Sequence, residues 1–172
     1  ALGENALNST TGAALKNIGI GTNALTALTV QDDNIAIGHA SMSGATSSAH
    51  SNIAIGFETM DGFTSQAILK NIAIGYQALS GALHQDSSGM IAIGYQAGLV
   101  HQSGQQNIYI GLGTGMENMI GDNNIAIGYN SWYRSHNSMQ NDDNIFVGSG
   151  AGGGDWTGTA SSSNIGIGTS AL

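Results

Sequence analysis

A five-residue phrase, Asn-Ile-x-Ile-Gly, recurs from one end of the chain to the other and constrains the fold more than any other feature. It stands unbroken as Asn71-Ile72-Ala73-Ile74-Gly75 and starts again at Asn17, Asn34, Asn52, Asn107, Asn124, Asn144 and Asn164, with Val147 as the second apolar residue of the Asn144 copy. Met90-Ile91-Ala92-Ile93-Gly94 is a further copy that lacks only the asparagine, and Ala1-Leu2-Gly3 reads as the tail of another. The closing glycines fall 17 to 20 residues apart. A near-fixed period of this kind marks units that cannot bury their apolar faces alone and must stack on their neighbours. The repeat spans residues 1–172 without a break in composition, which predicts one repeat array. Ala1 and Leu172 both fall inside a repeat and no Met opens the chain, as expected of a segment of a longer fibre chain.

Within each copy the apolar residues alternate in period two, the signature of a short strand. Isoleucine favours a strand of four or five residues, and the closing glycine permits a corner that a side chain would obstruct. The two isoleucines face one way and the residue between them the other. We expect the isoleucines to point into the core, so that Ile35, Ile37 and Gly38, Ile53, Ile55 and Gly56, and Ile72, Ile74 and Gly75 are structural. The residue between them is Gly or Ala in seven of nine copies, which suits close packing against another backbone; Tyr109 and Phe146 depart from this and predict that the array widens or changes partner there.

After each glycine come two variable residues, a small residue and often a large apolar one, as in Ala24-Leu25, Ser41-Met42, Thr59-Met60, Ala78-Leu79 and Ser131-Trp132. The large member is expected in the core opposite the isoleucines. Gly98, Gly115 and Gly152 take its place in three coils, which are expected to be thinner or differently packed. The segments 43–51, 80–89, 131–143 and 152–163 are polar, variable in length and expected on the outer face. The asparagine that opens each phrase, Asn71 among them, predicts an amide ladder running from coil to coil. Nine coils at the spacing of parallel strands make a rod about 43 Å long. Coils this thin bury little surface, which predicts association of several chains along their small-residue faces.

Phrases such as Asn71-Ile72-Ala73-Ile74-Gly75-Tyr76-Gln77-Ala78-Leu79 and Asn17-Ile18-Gly19-Ile20-Gly21-Thr22-Asn23-Ala24-Leu25 closely resemble repeats in bacteriophage tail fibres, and are similar to the shorter head repeats of trimeric autotransporter adhesins. The resemblance covers essentially the whole chain, although these repeats are longer than those of the adhesins. It implies an all-β, parallel β-solenoid or β-roll of about nine repeats, homotrimeric, extracellular, on a virion tail fibre or a bacterial cell surface, and used for attachment to a host receptor or glycan.

Composition narrows the function further. The net charge is −8 with only Lys16, Lys70 and Arg134 as basic residues, so no basic face for nucleic acid is expected. There is no cysteine, hence no disulfide or thiolate chemistry, and no apolar run approaches a membrane span. Most aspartates precede the opening asparagine, as in Asp32-Asp33-Asn34, Asp122-Asn123-Asn124 and Asp142-Asp143-Asn144, where turn chemistry explains them. Calcium held by Asp32, Asp33, Asp122, Asp142 and Asp143 is the sharper alternative. The five histidines show no ligand spacing within one chain, although threefold symmetry would bring copies of one histidine together. No nucleophile elbow and no phosphate-binding loop occur.

Phe57, Tyr76, Tyr95 and Tyr129 all follow a corner glycine, which predicts a partial aromatic ladder on one edge. Trp132, Tyr133, Arg134 and Trp156 lie in the two longest loops and are the candidate glycan contacts, with Trp132 alternatively filling the core position of its coil. The expected function is a structural stalk without enzymatic turnover and without a required cofactor, its partners being further copies of itself and a surface receptor. An end-to-end extracellular filament and a polysaccharide-degrading fibre domain are the alternatives.

Overall fold

The computed structural model of the chain describes residues 1–9, 14–29, 31–44, 49–62, 68–81, 87–118, 120–135, 140–154 and 161–172. Among them there is no helix. Nine strands form one continuous parallel sheet: Ile18–Ile20, Ile35–Ile37, Ile53–Ile55, Ile72–Ile74, Ile91–Ile93, Ile108–Ile110, Ile125–Ile127, Ile145–Val147 and Ile165–Ile167, each bonded to the next in sequence. The chain is a parallel β-solenoid, as the period requires. Each strand is three residues long, shorter than the four or five expected. The ladder nevertheless takes in the full phrase, because the opening asparagine lends its carbonyl (Ile35 N–H to Asn52 O, 2.8 Å) and the closing glycine its amide (Gly38 N–H to Ile20 O, 2.7 Å).

The corner works only with glycine. Gly38 has φ of +134°, and a Cβ built there would run into the carbonyl of Gly56 in the next coil. Beyond it the chain makes two further left-handed corners, for example Gln77 and Leu79 at φ of 51° and 50°. Such backbone costs a non-glycine residue roughly 1–2 kcal/mol. It is offset by bonds to neighbouring coils, as when Gln77 N–H donates to Phe57 O at 2.9 Å and Leu79 N–H donates to Ala97 O at 3.0 Å. The small residue before Leu79 has its own reason: its counterparts Thr59 and Thr114 donate their hydroxyls to Gly75 O (2.7 Å) and Gly128 O (2.6 Å).

The inside of the roll is the reverse of the expectation. Ala36, Ala54, Ala73, Ala92, Tyr109, Ala126 and Phe146, the residues between the isoleucines, are buried, whereas the isoleucines on either side are half-buried or exposed. Ile35, Ile37, Ile53, Ile55, Ile72 and Ile74 therefore line the outer face of the sheet. The physical reason is width. The strand's central residue abuts the large apolar residue of the opposite wall, so that a Cβ added at Gly19 would lie 3.1 Å from Leu7 Cγ. A space holding Leu25, Met42, Met60 or Leu79 has room for only a methyl across from it, and the bulky branched pair must point away.

Tyr109 and Phe146 do not widen the array. The register passes straight through them, Ala92 to Tyr109 to Ala126 to Phe146 to Gly166. Their rings are accommodated by Gly98, Gly115 and Gly152: an added Cβ would meet Tyr109 at 2.9 Å, Tyr109 at 2.5 Å and Phe146 at 2.6 Å respectively.

The asparagine ladder is present and buried. Asn52 Nδ2 donates to Asn34 Oδ1 (3.0 Å) and to Ile68 O (2.9 Å), while Asn52 Oδ1 accepts from Asn71 N–H (3.0 Å). Asn71 in turn bonds Ser87 O (2.9 Å) and accepts from Met90 N–H (2.8 Å). The same pattern resumes through Asn107, Asn124, Asn144 and Asn164. Two short parallel pairs that the repeat pattern does not announce flank the main sheet: Ala49–His50 with Ile68–Leu69, and Glu117–Asn118 with Arg134–Ser135.

Candidate functional site

The outer surface carries lanes built by fixed positions of the repeat. The first is the isoleucine face. Period two sends both branched residues of every rung outward, and a parallel in-register stack turns them into a continuous apolar strip along the nine-stranded sheet. Interior members are half-buried, with Ile93 and Ile127 the most exposed at 36%. Scattered apolar residues on a surface need no explanation; a strip of this length does.

The second lane follows the corner glycine. The rings of His39, Phe57, Tyr76 and Tyr95 stack with centroids 5.0, 5.3 and 5.0 Å apart and planes within 11° of parallel. His39 is a member that aromatic counting alone overlooked, although it follows Gly38 as Tyr76 follows Gly75. Leu112 occupies the lane between Tyr95 and Tyr129, so Tyr129 stands apart from the stack. Beside the rings runs a hydrogen-bonded lane of amides and acid: Gln96 Nε2 donates to Gln77 Oε1 (3.0 Å) and Gln77 Nε2 to Glu58 Oε2 (2.8 Å). Stacked ring faces are occupied by one another and present mainly their edges to solvent.

The candidate glycan contacts form no such lane; the fold separates them. Trp132 is buried, with its ring 5.5 Å from that of Phe146, and so fills the core position of its coil. Tyr133, the next residue, is half-buried and lines a cleft of about 430 Å³ with Asn130, Gly150, Gly153, Gly154, Ser170 and Leu172. Arg134 is exposed; its guanidinium lies 5.6 Å over the Tyr133 ring and 3.8 Å from Glu117 Oε2. Trp156 lies outside the described residues, as do His84 and His136.

The acidic corners act within the ladder. Asp32 Oδ1 accepts from Leu15 N–H (2.6 Å), Asp122 Oδ1 from Gln105 N–H (2.8 Å) and Asp142 Oδ1 from Asp122 N–H (2.9 Å). Asp143 accepts from Asn123 Nδ2 (3.2 Å), and Asp33 pairs with Lys16 at 3.8 Å. Each carboxylate thus ties its own coil to the one before it. Among the described residues no group of three or more His, Asp or Glu side chains converges on a point where a metal ion could be held. Comparison with models of protein families, with curated proteins and with solved structures gave no match.

Proposed function

We propose that this chain is a structural segment of a surface-exposed attachment fibre, of the kind found in phage tail fibres or trimeric adhesins, in which three copies associate through their isoleucine faces. The observation that carries the reading is the outward isoleucine strip. A rod of this cross-section already fills its interior from the central strand residue and the opposite wall of its own coils, and the branched residues left outside have the composition of a core without a partner. A second and third copy supply that partner, because a face with a uniform rung spacing is complementary to itself along its whole length. The association surface is thus the isoleucine side, in place of the small-residue side that the sequence alone suggested. The number of chains rests on the resemblance of the repeats. The work of such a segment is mechanical and adhesive: it spaces a receptor-binding element from a surface and contributes contacts of its own.

Mass in solution at micromolar concentration tests the reading. Three chains per particle are expected, and Ile74→Lys, which places a charge in the middle of the strip without touching the interior, should shift the particle toward single chains. An intact chain that runs as a monomer would overturn the association, and an open-ended distribution of lengths would favour the end-to-end filament.

A further inference from the structure

Five tyrosines are spread along the chain, and the fold gives two of them a geometry that the other three lack. Tyr76 and Tyr95 each follow a corner glycine in successive coils, and the parallel register sets one ring over the other, with centroids 5.0 Å apart and planes 7° from parallel. The pair is held from both sides. Gly94 N–H donates to Ile74 O at 2.8 Å just before it, Gln96 N–H donates to Tyr76 O at 2.8 Å just after it, and Gln96 Nε2 donates to Gln77 Oε1 at 3.0 Å alongside. Phe57 closes the stack on the Tyr76 side, its centroid 5.3 Å away. Exposures of 41% at Tyr76 and 48% at Tyr95 leave the ring edges open to a small oxidant in solution.

The remaining tyrosines are kept from such a pairing. Tyr109 is buried inside the roll. Tyr133 is half-buried, with the Arg134 guanidinium 5.6 Å over its ring. Tyr129 is exposed, but Leu112 occupies the rung between it and Tyr95, which puts those two phenols two rungs apart, about 9–10 Å. Among the described residues, Tyr76 and Tyr95 are the one pair of phenols in ring-to-ring contact.

Two phenols fixed in contact are the reactants of oxidative coupling. We propose that Tyr76 and Tyr95 form a modification site, coupled to dityrosine within one chain by an oxidant of the peroxidase class. The oxidant removes an electron and the phenolic proton from each ring, leaving two phenoxyl radicals. Their unpaired spin is shared with the ring carbons ortho to oxygen; the radicals combine there in a carbon–carbon bond, and the two ortho hydrogens move to the oxygens to restore both phenols. One hydrogen peroxide takes up the two electrons and two protons and leaves as two waters, so the chain ends lighter by two hydrogen atoms. Stacking turns a chance collision between scarce radicals into a reaction between neighbours. The bond closes one full turn of the solenoid into a covalent ring, restricting the unfolded chain as a disulfide would in a chain that has no cysteine. It lies within one chain, and so is independent of how many chains associate.

The test treats the intact chain with a haem peroxidase and limiting hydrogen peroxide. It reads dityrosine fluorescence, the mass of the intact chain, and the fragments after cyanogen bromide cleavage at Met90, which lies between the two tyrosines. We expect single chains lighter by two hydrogens, the fragments on either side of Met90 to stay joined, and a yield per chain that does not fall on dilution. Tyr76→Phe and Tyr95→Phe each keep a ring in the stack and remove one phenol, so each should lower the yield at least about tenfold with circular dichroism unchanged. Tyr129→Phe should leave the yield as it is. Coupling between chains in place of coupling within them, a yield that survives either stack variant, or no dityrosine under conditions that couple a free tyrosine dipeptide would each overturn the site.

Discussion

Two kinds of coil fill the same interior by opposite means. In the coils of Ala36, Ala54 and Ala73 the strand contributes a methyl group and the opposite wall a large side chain, Met42, Met60 and Leu79. In the coils of Tyr109 and Phe146 the strand contributes an aromatic ring and the opposite wall a glycine, Gly115 and Gly152. The coil of Ala92 and Gly98 is small on both sides, and the Tyr109 ring of the next coil leans into its space. What the stack conserves is therefore summed volume across the roll and between adjacent rungs, with residue identity free to trade sides.

The trade can be broken directly. Tyr109→Ala should cost about 3–5 kcal/mol in urea unfolding, the range for emptying a buried aromatic site. Adding Gly115→Leu rebuilds the pairing found at Ala73 and Leu79, and its left-handed backbone at φ of 59° is one that Leu25 and Leu79 already adopt at 53° and 50°. The double variant should recover more than half of the loss, a coupling that only neighbouring groups give. A double variant no more stable than Tyr109→Ala would mean that the two positions do not share a volume.

A slightly smaller effect separates what the two kinds of coil share from what distinguishes them. The asparagine ladder passes through both and is interrupted at Met90, whose sulfur lies 3.5 Å from Asn107 Nδ2. Asn71→Ala removes the partners of Ser87 O and Met90 N–H, both inside the roll. At about 1–2 kcal/mol for each of the two buried groups left without a bond, a loss of about 2–4 kcal/mol is expected. Hydrogen exchange should show it concentrated in the Met90 and Asn107 rungs. Uniform loss along the rod would mean that the ladder acts as one cooperative unit.

Much of this was legible in the phrase itself. The period announced a solenoid, the alternation announced strands, and Asn71 announced a ladder. The side of the sheet that faces inward was not legible, because alternation is symmetric and only the width of the roll, set by three corners per coil, decides between Ile72 with Ile74 and Ala73. The roles of Gly115 and Gly152 were hidden for a related reason: each is explained by a residue six positions earlier, Tyr109 and Phe146, across the roll. Of the candidate contacts, Trp132 obeyed the repeat and went inside, whereas Tyr133, one residue on, reached the surface. Gly150, Gly153 and Gly154 line the cleft beside Tyr133, and only alignment of that coil with the one before shows that they stand where Asn130, Tyr133 and Arg134 stand there.

The lane that opens as a cleft at Gly153 is filled in the first half of the chain by Asp61, and this gives the finest test of the contrast. Ser80 Oγ donates to Asp61 Oδ1 at 2.6 Å across one rung. Burial raises the Asp61 carboxyl above its ordinary value, and the charge of Glu58 adds to the rise, while the Ser80 bond opposes it. A carboxyl raised in the folded state favours folding most below its unfolded value near 3.9, and that contribution is lost as pH climbs through the raised value. At neutral pH the ionised group is thus a small liability. Asp61→Asn keeps an acceptor for Ser80 and removes the charge, so the melting temperature at pH 7 should rise by about 1–3 °C. The gain should shrink as pH falls through the raised value and be gone below about 4, where the wild-type carboxyl is neutral in both the folded and the unfolded chain. A fall at pH 7 would mean that Asp61 gains more from Ser80 as a carboxylate than it loses to burial, and the closed end of the lane would then be held by charge rather than by packing.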